Sequence, residues 1–169
     1  MKKGGFSREK EFEEYFLSKK MKDMLCGKIE WGNSDLKISV DNSIFTDKYI
    51  FLVEIDSSNY AKLVCGQYTL INILKDQPVK SEIKEKFKNK ELIFVIIHCY
   101  NSKNRKFNTQ RTRNNLNLIN KNCFNNKGIK YSAFHFEDFK KETGNFIKKE
   151  EFCKYFIKSI KNNFKIKTK

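Results

Sequence analysis

Two short runs, YIFLVEI at 49–55 and LIFVIIHC at 92–99, carry almost nothing but apolar side chains, many of them β-branched or aromatic. Runs this short are strand-length, and the absence of polar alternation implies burial on both faces. A sheet whose central strands are covered on both sides needs a helical layer above and below it. The expectation is therefore an α/β fold: a central mixed sheet of four to five strands flanked by helices. With 169 residues the chain is long enough for one domain with a real core, and residues 1–6 and 165–169 read as loose ends.

The neighbouring segments fit that frame. Ser7 can cap a helix over 8–26, where Phe12, Phe16, Leu17, Met21, Met24 and Leu25 recur at helical spacing and Gly27 supplies a stop. Residues 28–31 read as a short strand or turn closed by Gly32 and Asn33. Leu36, Ile38 and Val40 alternate with polar residues, which predicts a half-buried strand over 35–40. Residues 41–43 and 46–48 are turn-rich, so 35–40 and 49–55 read as a hairpin. Ser57, Ser58 or Asn59 can cap a helix with Tyr60, Leu63, Val64, Gln67, Tyr68, Ile71 and Leu74 on one face. Gln67 is the polar member of that face. A buried amide needs partners, so it either ties down a backbone or points into a site.

Residues 76–90 read as a lysine-rich connection with a short helix after Pro78. Thr109 can cap a helix with Leu116 and Ile119 inward; 130–136 reads as a strand and 149–164 as a last helix built on Phe152, Phe156, Ile160 and Phe164.

Charge narrows the class of partner. Lys and Arg number 35 against 20 Asp and Glu, a net charge of +15. Such an excess favours nucleic acid or an anionic surface over a neutral partner. The segment 103–113, with Arg105, Lys106, Arg111 and Arg113, and Asn114 next to it, offers residue types that suit phosphates and base edges; the plainer reading is a solvated loop. No segment is long and apolar enough to span a bilayer, and none resembles a signal peptide. Five scattered cysteines without a C-x-x-C pair read as reduced thiols of a cytoplasmic protein.

Against that basic background, acids gather at one place. A hairpin of 35–40 with 49–55 brings Asp35, Glu54 and Asp56 together, which is costly without a cation among them. Oxygen-only donors favour a hard ion, Mg2+ or Mn2+, held by Asp35, Glu54 and the Ile55 carbonyl, with Asp56 as a further ligand or water orienter. Asp41 is the rival to Asp35, at the far end of the same strand. Glu9 and Glu13, on or beside the apolar stripe of the first helix, are accessory candidates. His98 reads as a satisfied strand-end histidine.

The order helix–hairpin–helix–strand–strand–helix, with Ser34-Asp35 and Glu54-Ile55-Asp56 on the paired strands, resembles the PD-(D/E)xK nuclease superfamily over residues 8–136. The resemblance implies a restriction-endonuclease-like core and metal-dependent hydrolysis of phosphodiester bonds, in double-stranded DNA as in a small restriction endonuclease or a repair nuclease. It is compatible with a homodimer that cuts both strands by symmetry. In that family the two acids bind one or two magnesium ions, and a Gln or Lys on the following helix often faces the site, which here is Gln67. The family's lysine is replaced by Asp56; Lys62 is the nearest candidate for a migrated lysine. The alternative is a non-catalytic nucleic-acid-binding protein on the same fold.

Overall fold

The computed structural model describes residues 5–33, 35–102 and 105–163. Ser34, Lys103, Asn104, Phe164 and residues 1–4 and 165–169 lie outside the described residues, whereas Gly5 and Phe6, expected to be part of a loose end over 1–6, open the first helix. The centre of the fold is the pair expected from the apolar runs. Strand β4 (Tyr49–Asp56) lies parallel to β5 (Glu91–His98), in register from Tyr49 opposite Glu91 to Asp56 opposite His98. Strand β3 (Asn42–Phe45) is antiparallel to β4, and β8 (Lys130–His135) is parallel to β5, giving the order β3-β4-β5-β8. Parallel neighbours need long crossovers. Helices α2 (Ala61–Leu74) and α3 (Ser81–Phe87) provide the first, and α4 (Thr109–Phe124) the second.

Period-two alternation divides the sheet's side chains between two cores. Phe51, Val53, Ile93, Val95 and Ile97 face α1 (Gly5–Ser18), α5 (Phe136–Glu142) and α6 (Lys149–Asn163). That layer is built on phenylalanine: Phe12, Phe16, Phe139, Phe152 and Phe156 are fully buried, with Phe139 and Phe156 stacked at 6.0 Å. Ile50, Leu52, Phe94 and Ile96 face the other way, against Val64, Tyr68 and Ile71 of α2 and Leu116 of α4. Burial on both faces is why the two runs show no polar alternation.

A separate antiparallel hairpin stands beside the sheet: β1 (Ile29–Gly32) with β2 (Lys37–Val40). Its turn depends on Gly32, whose φ is +119° and where a Cβ would lie 1.8 Å from the Leu36 carbonyl oxygen. Strand β2 runs into β3 through the single residue Asp41. A last two-residue ladder, β6 (Asn101–Ser102) with β7 (Arg105–Lys106), follows β5.

Four sequence expectations change here. The first helix ends at Ser18 rather than 26, and Lys20 takes a φ of +57°; a 3-10 turn at Lys22–Met24 carries Met24 into the core. Residues 41–43 are not a turn: Asn42 and Ser43 are buried strand residues. The Asn42 Oδ1 accepts from the N–H groups of Gly27 at 3.0 Å and Ser43 at 2.9 Å, which satisfies its amide oxygen inside the sheet. Asn108, not Thr109, caps α4, its Oδ1 accepting from the Gln110 N–H at 3.0 Å. The strand expected over 130–136 ends at His135, and Phe136 with the unassigned residues 137–142 forms α5. Among the described residues no helix is long and apolar enough to cross a membrane.

Candidate active site at the carboxyl end of β4

The strand that returns beside Glu54 is β3, which Asp41 immediately precedes. Asn42 pairs with Val53 in the β3–β4 ladder, so one step further places Asp41 across from Glu54. The contact is direct: Asp41 Oδ2 accepts from the Ile55 N–H at 2.7 Å. Asp35 lies elsewhere. It is exposed in the β1–β2 turn, six residues before Asp41 (41 − 35 = 6), or about 20 Å of extended chain. The expectation that Asp35 stands beside Glu54 is corrected on this ground: β2 pairs with β1, and the strand paired with β4 starts only at Asn42.

Glu54 and Asp41 form an acid pair in a covered position. Burial pushes the Glu54 carboxyl up to about 8; the charge of Asp41 adds to the rise, the Gln67 amide opposes it, and Asp56 and Glu9 raise it further. Burial likewise pushes Asp41 up to about 6. The Ile55 N–H opposes that rise, Glu9 adds to it and Lys28 draws it down. Glu54 is partly open to a cleft as a residue, yet its Oε2 is covered and has no hydrogen-bond partner. A buried carboxylate oxygen with no donor is costly.

Gln67 does both things that its position on α2 allows. Its Nε2 donates to the Ser39 carbonyl at 2.8 Å, tying α2 to β2, and the same side chain reaches Glu54. Glu9 of α1 is half-buried, and its charge acts on both acids; Glu13, one turn on, is exposed.

Asp56 turns away from the pair. Its Oδ1 accepts from the Ser58 N–H at 2.9 Å and the Ser58 hydroxyl at 2.6 Å, and its Oδ2 bonds His98 Nδ1 at 2.8 Å. His98 is fully buried. Its Nε2 meets the Thr112 hydroxyl at 2.9 Å, and its ring stacks on Phe107 at 3.9 Å. With both oxygens engaged, Asp56 braces the end of β4 against β5 and α4 rather than offering itself as a ligand. His98 is the satisfied strand-end histidine read from the sequence.

The remaining candidates separate by position. Lys62 is exposed, its ammonium 5.6 Å from the Tyr60 ring centroid, and it does not line the cleft at Glu54; this corrects its assignment as a migrated lysine. Arg111 and Asn114 are on the exposed side of α4, where Asn114 Oδ1 accepts from Gln110 Nε2 at 2.9 Å. Arg113 points inward: its guanidinium donates to the Ala133 carbonyl of β8, and burial lowers its pKa. An arginine committed to an edge-strand carbonyl is not available to a phosphate, so its assignment as a nucleic-acid contact is corrected too. Arg113→Ala is expected to cost about 1–3 kcal/mol in urea denaturation, with DNA affinity unchanged within two-fold by fluorescence anisotropy; a large affinity loss with intact stability would contradict this. Arg105 and Lys106 form β7, and their side chains lie outside the described residues.

Glu54, Asp56 and Gln67 line a cleft of about 530 Å³ between the β1–β2 hairpin and the first turns of α2, and Asp41 lies behind Glu54, outside that lining. Lys37 and Ser39 line one wall, Leu63 and Gln67 the other, and Glu54 to Ser58 the floor. The sequence did not single out Lys37, and it offered Ser58 only as a helix cap. Lys37 looks like any exposed strand residue until the hairpin is placed beside α2.

Among the described residues no group of three or more His, Cys, Asp or Glu side chains is arranged to hold a metal by itself. The pair still fits one ion. Magnesium keeps several waters and is held by one or two carboxylates together with substrate phosphates, and the Oε2 of Glu54 is a covered oxygen with no hydrogen-bond partner. Asp41 and Glu54 are the residues that could hold it.

No protein-family model, curated protein or solved structure matches the chain.

Proposed function

We propose that the protein is a metal-dependent endonuclease that hydrolyses phosphodiester bonds in DNA, on a restriction-endonuclease-like core. The observation that carries this reading is the Asp41–Glu54 pair. Two acids sit side by side under cover, one with an oxygen that has no donor, in a molecule of net charge +15. A cation would replace the proton that the pair must otherwise share. The strand order supports the fold assignment: if β2 and β3 are taken as one strand bent at Asp41, the sheet reads β1, β2/β3, β4, β5, β8, with the motif acids at the bend and at the end of β4.

In this reading Asp41 and Glu54 hold Mg2+ or Mn2+. The bound ion would neutralise phosphate oxygens and supply a hydroxide-like nucleophile. The Ile55 N–H fixes Asp41, and Gln67 orients Glu54 while holding α2 at its distance from β2. Asp56, braced by Ser58 and His98, adds negative field at the floor without giving up its own hydrogen bonds. The lysine-rich surface draws the polyanion in.

The test is supercoiled plasmid incubated with Mg2+ or Mn2+, against EDTA. Nicking that needs the ion supports the reading. A protein that binds DNA in a salt-dependent way but never nicks it supports a non-catalytic nucleic-acid-binding protein instead.

A further inference from the structure

We propose that the solvent side of α2 is a docking surface for a second copy of this chain, and that two copies meet there through an antiparallel pair of α2 helices. The proposal goes beyond the nuclease reading and rests on neither metal nor DNA.

A surface helix ordinarily has one apolar face and one polar face. The apolar face of α2 is accounted for: Val64, Tyr68, Ile71 and Leu74 are buried in the core beneath it. Its solvent side is apolar as well. Leu63 is 57% exposed and Ile73 60%, Gly66 is exposed and Leu70 half-buried, and none of the four joins either hydrophobic core. They follow one another at steps of three, four and three residues, the spacing of a coiled-coil seam. Gly66 has no task inside the single chain. A Cβ there would meet nothing within 4 Å, and its φ is not positive. A glycine inside a helix lowers its stability, and nothing in the fold offsets that loss.

The stripe fits itself. Leu63 and Ile73 stand five residues to either side of Tyr68, and Gly66 and Leu70 stand two to either side. Reversing the helix therefore exchanges the members of each pair. An antiparallel crossing on a two-fold axis at that level sets Leu63 against the partner's Ile73 and drops Leu70 into the gap at the partner's Gly66, and symmetry repeats both contacts.

Charge favours this occupant. The chain carries +15, so two copies repel wherever their lysines face each other. Leu63 to Leu74 holds no charged residue, in a chain of which 33% is charged. Two copies can meet along this run with no lysine opposite a lysine, whereas an acidic protein would find no cation within the stripe to pair with. The chain's own segments 1–4 and 165–169, MKKG and KIKTK, are too basic to serve as an apolar cover. One helix pair falls short of the ~1,200 Å² that a tight interface buries, so association in the micromolar range is expected.

The test is sedimentation equilibrium on the full chain, without DNA, in salt high enough to screen the net charge. Wild type should pass from monomer to dimer across the micromolar range. Leu70→Lys, which removes the knob, and Gly66→Leu, which fills the gap, should each weaken the dimer at least about ten-fold. Gly66→Leu should keep a thermal unfolding midpoint at or above that of wild type at dilutions where both are monomeric, because the position packs against nothing in the single chain. Leu63→Glu and Ile73→Lys should each weaken the dimer. The double variant Leu63→Glu, Ile73→Lys should recover most of that loss, because the antiparallel register sets each new acid against a new amine. A wild type that stays monomeric throughout overturns the proposal. So does a dimer that Leu70→Lys and Gly66→Leu leave intact, or a double variant no tighter than the two single ones. Nicking enters none of these measurements, so failure of the nuclease reading and failure of this proposal are told apart.

Discussion

Asp41→Asn and Glu54→Gln are each expected to reduce metal-dependent nicking by on the order of 10²–10³-fold, while Asp35→Asn leaves it within two-fold. Both substitutions keep side-chain volume and remove one negative charge from the pair. With Asp41→Asn the new amide can still offer an oxygen to the Ile55 N–H, so the end of β4 keeps its geometry. With Glu54→Gln the side chain can still contact Gln67 from the same position. What is lost is the charge that would hold the ion, so the effect should appear in the metal concentration needed as well as in the rate. Asp35, exposed in the β1–β2 turn, has no such place beside Glu54. Quantitative plasmid nicking across a series of Mg2+ concentrations reads all three variants. Full activity in Glu54→Gln, or a large loss in Asp35→Asn, would contradict the assignment.

Without added divalent ions, stability should fall as pH rises from about 5 to 8. The Glu54 carboxyl, ordinarily near 4.5, is raised to about 8, and that of Asp41 from 3.8 to about 6. The folded state therefore binds more protons than the unfolded chain across this window, so each step up in pH favours unfolding. At full size the Glu54 shift corresponds to about 5 kcal/mol. Relaxation of the site and proton sharing with Asp41 reduce it, and a loss of about 1–3 kcal/mol is expected between pH 5 and 8. Glu54→Gln should flatten the profile and leave the protein more stable than wild type at pH 8. Mg2+ should restore the lost stability at pH 8 and do little at pH 5, where the proton already occupies the site. Urea denaturation at the two pH values, with and without Mg2+, measures this. A wild-type profile that rises with pH and is unaffected by Glu54→Gln would show that the pair is not strained by its charge.

What the sequence carried, and what it hid, follows from where each signal comes from. Strands β4 and β5 were legible because burial on both faces leaves a run of apolar residues that no exposed element would show. Helix α2 was legible from Val64, Tyr68, Ile71 and Leu74, among which Gln67 stood out, but Tyr60 and Leu63, read on the same face, are exposed. Glu54 could be placed at the end of β4 for the same reason. Its partner could not. Asp41-Asn42-Ser43 has the composition of a turn, and only the structure shows that Asn42 satisfies its own amide oxygen within the sheet. Once those residues join a strand, register moves the paired acid from Asp35 to Asp41. Arg113 illustrates the same limit: on a polar, basic helix nothing in the spacing distinguishes the arginine that reaches inward to Ala133 from Arg111, which faces out. Hydrogen bonds between residues distant in the chain leave little periodic trace.

Binding of Mn2+ at pH 7.5, measured by electron paramagnetic resonance on the free protein, tests the central claim most directly. Wild type and Asp35→Asn should each bind one or two ions per chain, and the double variant Asp41→Asn, Glu54→Gln should bind none at the same concentration. Unchanged binding in the double variant would contradict the account, because the acid pair would then not be where the cation sits.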